Sequence, residues 1–380
     1  MVSTKDDMTA ADAVSLTKSL LRFDTVNPPG RERECARYAG GLLESWGFRV
    51  DYHEYDEQRT SVVARAGGKE GRAPLCLTGH IDTVALGAAP WTRDAFAGET
   101  DGDRLYGRGA SDMKAGVAAL LLAARAFAGR YDGTPGVVLV LTAGEEGGCI
   151  GSAHLARSPL LGRAGAIVVG EPTANAPYVG HKGSLKFNAR FRGVSAHGSM
   201  PELGVNAVYK AARAIAALER FEFRAEPHPL MGGPTLNVGT VHGGDGINMV
   251  PDWAAIGVDV RTVPGMDHAR LLARLEEALG EAELEMLSDL PPVWTPPEQE
   301  WMQRVLEICS RHLGARPQPR TATYMTDAAN LRKAYGEAPT VVLGPGEPQM
   351  AHQTDEYCSQ ERVRQAVAIY EALIADWCGL

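Results

Sequence analysis

The N-terminal half of the chain alternates between two hydrophobic patterns. Short apolar runs are typical of buried strands, whereas apolar residues spaced three and four apart are typical of helices. The runs predict strands over residues 61–65, 75–77, 136–142 and 166–169. The helical spacing predicts helices over residues 9–22, 31–46 and 114–128, and a short helix from about residue 151. This alternation predicts an α/β fold with a mainly parallel sheet flanked by helices.

The pattern changes near Gly183. From Leu185 to Phe191, apolar residues alternate with polar ones, which predicts a half-buried strand. A helix over 205–219, strands over 235–241 and 254–261, a helix over 267–282 and a strand over 283–287 follow. The resulting order β-α-β-β-α-β is the ferredoxin-like arrangement, so we expect a small α+β unit with one open sheet face.

Paired prolines at positions 291–292 and 296–297 end this unit. Beyond them the pattern predicts a helix over 298–312, a strand over 340–343 and a final helix over 359–377. The simplest organisation is an α/β domain built from residues 1–183 and 293–380, with residues 184–292 inserted as a second domain. A chain of 380 residues is long enough for two domains.

Composition narrows the class of protein. The net charge of −9 argues against a nucleic-acid partner, because phosphate binding needs a basic surface. The longest apolar run, residues 115–124, is too short to span a bilayer, and no apolar segment follows the polar N-terminus to form a secretory signal. The six cysteines form no C-x-x-C pair. We therefore expect a cytoplasmic protein without a nucleic-acid or membrane partner.

The strand at 75–77 leads into the most informative pair of polar residues. His80 and Asp82 lie two positions apart, so on an extended chain their side chains point the same way. A carboxylate beside an imidazole can hold one ring nitrogen and leave the other free for a metal. Taken alone, the pair fits a strand end with two solvated polar residues equally well.

Four other strand or loop ends carry side chains of the same kind: Asp112, Glu145 with Glu146, Glu171, and His352. In an open α/β sheet, ligands bind at the carboxyl ends of the strands, where these residues would meet. Two imidazoles and three carboxylates exceed the needs of one tetrahedral zinc with an open position. They suit two divalent metal ions about 3.5–4 Å apart with a bridging carboxylate. Mixed nitrogen and oxygen donors suit zinc, cobalt or manganese.

The adjacent glutamates, Glu145 and Glu146, add a second kind of chemistry. One can ligate a metal while the other takes a proton from metal-bound water. The alternative is a solvated acidic turn. Because the pair lies between an apolar strand and two glycines, we favour the catalytic interpretation.

Together these segments resemble the family of dinuclear zinc hydrolases that includes acetylornithine deacetylase, succinyl-diaminopimelate desuccinylase, aminoacylase and carboxypeptidase G. The resemblance covers nearly the whole chain and implies a zinc-peptidase-like α/β domain. It implies the following metal ligands: His80 and Glu171 for one ion, Glu146 and His352 for the other, and Asp112 between them. It also implies that Glu145 is the general acid/base and that Asp82 orients His80.

The same resemblance gives the inserted domain a role as dimerisation interface and lid. His197, within the segment 194–199, would reach the active site of the partner subunit of a homodimer and stabilise an oxyanion. Asn248 and Arg261 would hold the substrate carboxylate. The alternatives are an exposed loop histidine for His197 and a strand-end ion pair for Arg261.

Within the family, His181 and Lys182 resemble a segment of the acetylornithine deacetylases, and desuccinylases carry an arginine pair there. His181 and Lys182 would bind the substrate by contacting an anionic group. Segment 321–330 departs from the family pattern. We therefore expect a deacylase that removes an acetyl group from an amino acid such as N-acetyl-ornithine, as in arginine biosynthesis. The alternatives are a succinyl-diaminopimelate desuccinylase, a dinuclear zinc exopeptidase or dipeptidase, and a non-catalytic relative that binds without turnover.

Overall fold

The computed structural model describes residues 12–68 and 71–380, which divide into two compact units. The first unit contains the described part of Met1–Gly180 together with Trp294–Arg320 and Thr326–Leu380, and the second contains His181–Val293 and Thr321–Met325. The segment Thr321–Met325 was not expected in the second unit. Within that unit, Thr321 Oγ1 donates to the carbonyl of Leu230 at 3.2 Å.

The helices of the described residues are α1 Ala13–Leu21, α2 Arg33–Ser45, α3 Lys114–Arg125, α4 Ile150–Ala156, α5 Ala207–Glu219, α6 His268–Leu279, α7 Glu300–Leu313, α8 Ala328–Ala334 and α9 Gln360–Cys378. The predicted helix 9–22 corresponds to α1, and its positions 9–11 lie outside the described residues. Asp12 caps α1, accepting a hydrogen bond from the backbone N–H of Val14 at 3.3 Å.

The strands are β1 Arg49–Asp56, β2 Arg59–Ala66, β3 Leu75–His80, β4 Thr100–Asp101, β5 Arg104–Tyr106, β6 Val137–Thr142, β7 Ala166–Val169, β8 Tyr178–His181, β9 Gly183–Arg192, β10 Ala196–His197, β11 Thr235–Gly243, β12 Met249–Val250, β13 Trp253–Thr262, β14 Glu283–Leu290, β15 Val293–Trp294, β16 Arg320–Ala322, β17 Thr340–Val342 and β18 Tyr357–Ser359. Strand β1 was not predicted. Its sequence is largely polar because it lies at a sheet edge, where much of it remains exposed or half-buried.

The main sheet runs in the order β1-β2-β6-β3-β7-β17-β8-β15, and β16 also pairs with β8. Its four central strands, β6, β3, β7 and β17, are parallel, and antiparallel neighbours flank them on both sides. The expected mixed α/β fold with helices around a mainly parallel sheet is confirmed. Because parallel strands point the same way, their carboxyl ends lie at one edge of the sheet.

Helix α3 packs with almost every residue buried. A Cβ atom added at Gly116 would lie 2.0 Å from the carbonyl oxygen of Gly170, in the loop that follows β7. Only glycine permits this close approach of helix and loop. Among the described residues, no helix has both the length and the apolar character needed to cross a membrane.

The second unit contains a four-stranded antiparallel sheet in the order β11-β13-β9-β14. With α5 and α6, the chain order is β-α-β-β-α-β, as in ferredoxin-like folds. Alternate residues of β9, including Phe187 and Phe191, pack with Leu218, Leu271 and Leu275 of the two helices. Strand β11 is at the edge of this sheet and is largely exposed.

The close approach at Gly116 predicts a specific stability effect. We expect Gly116→Ala to lower the free energy of unfolding by about 1–3 kcal/mol, because the methyl group forces α3 away from Gly170. Gly41→Ala is the matched control, since a Cβ there in α2 meets nothing within 4 Å. The control should leave stability unchanged or raise it by up to about 1 kcal/mol. Urea unfolding followed by circular dichroism measures both variants, and equal effects would contradict the packing argument.

Candidate metal centre

His80, the last residue of β3, is buried where the sheet ends. Its Nδ1 lies 2.9 Å from the backbone carbonyl oxygen of Asp82. Because a carbonyl can only accept, Nδ1 donates its hydrogen there, and Nε2 is the ring nitrogen left to face the cluster. Nε2 faces two carboxylates, with Asp112 Oδ1 at 3.0 Å and Glu171 Oε1 at 3.8 Å. Glu171 follows β7, next to β3 in the sheet.

Asp112 lies in the loop between β5 and α3 and presents one oxygen to each of two histidines. Its Oδ1 is 3.0 Å from His80 Nε2, and its Oδ2 is 3.3 Å from His352 Nε2. The peptide bond between Asp112 and Met113 is cis. A carboxylate placed between two imidazoles in this way can bridge two cations.

Glu146 and His352 complete the second half of the centre. Glu146 Oε2 lies 3.2 Å from His352 Nε2, and Glu146 Oε1 is buried without a hydrogen-bond partner. His352 has a left-handed backbone with φ of 66°. This conformation costs a residue with a side chain on the order of 1 kcal/mol or more, so its neighbours must hold it there.

These residues form two groups that share Asp112. The donor atoms of His80, Asp112 and Glu171 lie within 4.8 Å of one another, as do those of Asp112, Glu146 and His352. Such spacing suits ligands that each bind a central ion at about 2.0–2.2 Å. The unpartnered oxygen of Glu146 is also what a metal ligand would leave in the absence of its ion. The donor set therefore fits two divalent metal ions.

The pKa shifts within the cluster also indicate a site for cations. Burial raises the pKa of Glu146 and of Glu171, and the charge of Asp112 raises both further. Hydrogen bonds to Asp112 and Glu146 raise the pKa of His352 to about 10. Burial acts to lower the pKa of His80, but Asp112 and the other carboxylates outweigh it and raise this pKa well above its ordinary value. The raised pKa values mean that the crowded groups favour bound protons. Bound cations would displace these protons and stabilise the ionised carboxylates.

The resemblance implied that Asp82 orients His80, and the structure places its carboxylate against the glutamate pair instead. Its carboxylate oxygen Oδ1 is 3.6 Å from His80 Nδ1, farther than its own backbone carbonyl. The carboxylate instead accepts hydrogen bonds from the backbone N–H groups of Glu145 and Glu146, both at 3.1 Å, and from the side-chain amide of Asn27 at 2.8 Å. Asp82 thus holds His80 through its backbone and the glutamate pair through its side chain.

Glu145 is buried in the turn that follows β6 and belongs to neither group of three potential ligands. The turn requires glycine at position 144, where φ is 74° and an added Cβ would overlap the hydroxyl of Tyr55. Burial raises the pKa of Glu145 well above its ordinary value. Its Oε1 lies 3.4 Å from the thiol of Cys149. No local motif marked that cysteine as part of the site.

Two further polar residues behind this turn escaped sequence analysis. Asp327 is buried and hydrogen-bonded to Thr142 at the end of β6. Asn330 donates to the carbonyl of Cys149 at 3.1 Å and to Ser152 at 3.0 Å. Part of segment 321–330, which departs from the family pattern, thus supports the turn that carries Glu145. The large sequence separation left no local signal of these contacts.

The remaining predicted site residues belong to the second unit. The structure brings the segments of His197 and Asn248 together, because β10 pairs with β12 and the N–H of Gly198 donates to the Asn248 carbonyl at 2.8 Å. His197 is exposed, with Nδ1 2.7 Å from the hydroxyl of Ser199. Arg261 forms a two-point ion pair with Asp259, at 2.9 and 3.0 Å.

His181 and Lys182 have well-defined contacts. His181 is buried, with Nδ1 2.8 Å from the carbonyl oxygen of Lys182. The ammonium group of Lys182 donates to the Gly233 carbonyl at 2.7 Å, and partial burial lowers the pKa of this lysine. Any anion bound there would have to compete with the Gly233 carbonyl for Lys182.

Comparison with known proteins identifies the family of this chain. Residues 76–376 match the profile described as Peptidase family M20/M25/M40. The chain belongs to this family. It is therefore a metal-dependent hydrolase of amide bonds.

Curated relatives cover nearly all of the chain. An acetylornithine deacetylase from Klebsiella pneumoniae (strain 342) is 31% identical, covering 89% of this chain and 90% of that protein. One from Edwardsiella ictaluri (strain 93-146) is 32% identical and covers 96% of each chain.

Solved structures share the fold. The M20 family metallo-carboxypeptidase Sso-CP2 from Sulfolobus solfataricus aligns with a TM-score of 0.80 at 19% identity, covering 97% of this chain and 99% of that chain. The YXEP protein of Bacillus subtilis, described as a dinuclear metal binding peptidase, aligns with a TM-score of 0.70 at 16% identity, covering 98% and 99%. At such identities these likenesses establish the fold alone.

The contacts of Asp82 predict that it supports metal binding by fixing the glutamate pair. Asp82→Ala would leave the N–H groups of Glu145 and Glu146 without their acceptor, so we expect metal affinity to fall about 10–100-fold. Equilibrium dialysis against zinc or cobalt measures this change. Asp24→Ala is the control, because Asp24 is exposed and accepts only from the nearby Val26 N–H among its identified contacts. Equal affinities in the two variants would contradict the role.

Proposed function

We propose that this protein removes a short acyl group from the nitrogen of an N-acylated amino acid. Acetyl is the group and N-acetyl-ornithine the substrate that we propose. The observation that carries the proposal is Glu145, a buried carboxylate beside the paired metal ligands but outside both groups of three. Zinc is the metal we propose, with cobalt or manganese as alternatives, because the donors are imidazole and carboxylate.

Two bound divalent ions would supply Lewis acidity to the amide carbonyl and lower the pKa of an attacking water. Glu145 takes the proton of that water and later delivers it to the leaving amine. Because Oε1 of Glu145 faces the thiol of Cys149, Oε2 is the oxygen we assign to proton transfer. Asp82 keeps this carboxylate in place through the Glu145 backbone.

In this proposal the second unit supplies the substrate contacts. Arg261 binds the substrate carboxylate through its guanidinium group, exchanging its pair with Asp259 for a bidentate pair with the ligand. Asn248 assists, and His181 and Lys182 lie in the segment that distinguishes the subfamilies. His197 stabilises the developing oxyanion from the partner subunit.

Several observations support acetylornithine over the alternatives. The curated relatives at 31% and 32% identity are both acetylornithine deacetylases, which supports the proposed substrate and a role in arginine biosynthesis. The ligand groups and Glu145 are all present, which disfavours a non-catalytic relative. The six cysteines are free and buried, as expected in the reducing cytoplasm where we place the protein.

A substrate panel tests the proposal. We expect the zinc- or cobalt-loaded protein to hydrolyse N-acetyl-ornithine with a higher kcat/KM than N-succinyl-diaminopimelate, other N-acyl amino acids and dipeptides. Glu145→Gln should lower kcat about 10²–10⁴-fold while two metal equivalents remain bound, because only proton transfer is lost.

The substrate panel and the Glu145→Gln variant also distinguish the alternative functions. Preference for the succinyl substrate or for dipeptides would assign one of the alternative enzyme activities. A fully metal-loaded protein inert on the whole panel would support a binding relative. Wild-type kcat in Glu145→Gln would remove Glu145 from the mechanism.

The proposed homodimer through the inserted unit can be tested separately. Its edge strand β11 and the exposed Val241, Ile247 and Met249 offer a surface for a second copy. We expect Glu145→Ala and His197→Ala to be inactive alone. Mixing them should recover up to about a quarter of wild-type activity, because half of randomly paired dimers carry one intact site. No recovery in verified mixed dimers, or a fully active monomer, would contradict a shared site.

A further inference from the structure

A second buried carboxylate, Glu356, lies directly behind the loop that carries Asp112. Its side chain is fully buried and accepts four N–H groups. Oε2 accepts from Arg108 Nη1 at 2.6 Å and from the backbone of Gly109 at 3.0 Å. Oε1 accepts from the backbone N–H groups of Ser111 at 2.7 Å and Asp112 at 2.9 Å.

Three of these donors are backbone N–H groups of one short loop, which therefore curls around the carboxylate as around a bound anion. Burial raises the pKa of Glu356 to about 7, and Arg108 and the backbone donors oppose that rise by favouring the ionised form. The guanidinium group of Arg108 is itself fixed, since Nη2 donates to the Ala85 carbonyl at 3.1 Å.

The same carboxylate joins the loops of two metal ligands. Glu356 lies four positions after His352 in the chain, and its backbone carbonyl accepts the N–H of Gly107 at 2.9 Å. Ser111 adds a second connection by donating its hydroxyl to the Tyr357 carbonyl at 2.7 Å. The Asp112 loop and the His352 segment are thus bonded to each other independently of any metal.

We propose that Glu356 is a positioning residue that fixes the spacing between Asp112 and His352 before a metal ion enters. It preorganises the site of the ion that Glu146 and His352 would hold, and this inference rests on the metal centre of the proposed function. The ion held by His80 and Glu171 depends less on Glu356, because His80 is the last residue of β3 and Glu171 closely follows β7.

Glu356→Gln tests the inference with little change of shape. A carboxylate accepts at both ends, whereas an amide has one NH₂ end that can only donate. In either orientation this end faces two buried N–H donors, either those of Arg108 and Gly109 or those of Ser111 and Asp112. We expect the affinity for one of the two ions to fall about 10–100-fold while the other ion binds nearly as in the wild-type protein.

Cobalt titration by equilibrium dialysis, with the visible absorption spectrum as a record of coordination, measures both sites. His352→Ala provides the reference spectrum of the remaining site, which Glu356→Gln should resemble at low cobalt. Glu32→Gln is the matched control. Glu32 is an equally buried carboxylate that accepts from Arg59 Nε at 2.8 and 3.1 Å. It should lose stability but keep both cobalt affinities.

A measurement on the unaltered protein covers the case in which Glu356→Gln fails to fold. Hydrogen exchange of the metal-free wild-type protein should show the amides of Gly109, Ser111 and Asp112 protected before cobalt is added. Exchange at exposed-loop rates until metal binds would overturn the inference, as would unchanged affinities for both ions in folded Glu356→Gln. Failure of the wild-type protein to bind two ions would instead refute the proposed function.

Discussion

Repulsion among carboxylates at the edge of the central sheet is the constraint on which the rest of the site depends. Glu145, Glu146 and Glu171 converge there because parallel strands deliver their following loops to one side, and the loop between β5 and α3 brings Asp112 to the same cluster. Buried carboxylates this close cannot all remain ionised without positive charge nearby. His80 and His352 partly meet this need by holding protons, and the charge of two divalent ions matches that of the four acids. The fold thus builds a site that is more favourable with cations than without them.

Two further carboxylates, Asp82 and Glu356, fix the loops that carry this cluster. Each takes its hydrogen bonds largely from backbone N–H groups of a loop that carries potential ligands. A backbone donor cannot rotate away as a side chain can, so these contacts fix where the loop runs. Asp82 fixes the Glu145–Glu146 turn and Glu356 fixes the Asp112 loop. Metal binding then selects among few conformations, which reduces the entropy that ordering would cost.

Close backbone contacts complete the arrangement. Gly116 lets α3 approach the loop before Glu171, and Gly144 lets the turn before Glu145 pass the side chains of Tyr55 and Arg59. These glycines are far apart in sequence from what they touch, and in the sequence they look like ordinary loop or helix glycines. The same is true of Asn330, whose amide reaches the turn of Glu145 from another part of the chain.

The amino-acid sequence by itself determined the α/β class, the four parallel strands and most helices of the first unit, the β-α-β-β-α-β order of the second, and the polar residues that end the strands. These features depend on local periodicity, and His80, the glutamate pair and Glu171 follow directly from strand ends. Local pattern could not reveal β1, because an edge strand need not be apolar, nor the assignment of Thr321–Met325 to the second unit. Only the tertiary structure decided that Asp112 offers one oxygen to each histidine, that the Asp82 carboxylate serves the glutamates, and that Glu356 organises the Asp112 loop. Each of these is a hydrogen bond or close contact between distant segments, and its geometry exists only once the sheet has brought those segments to the same edge.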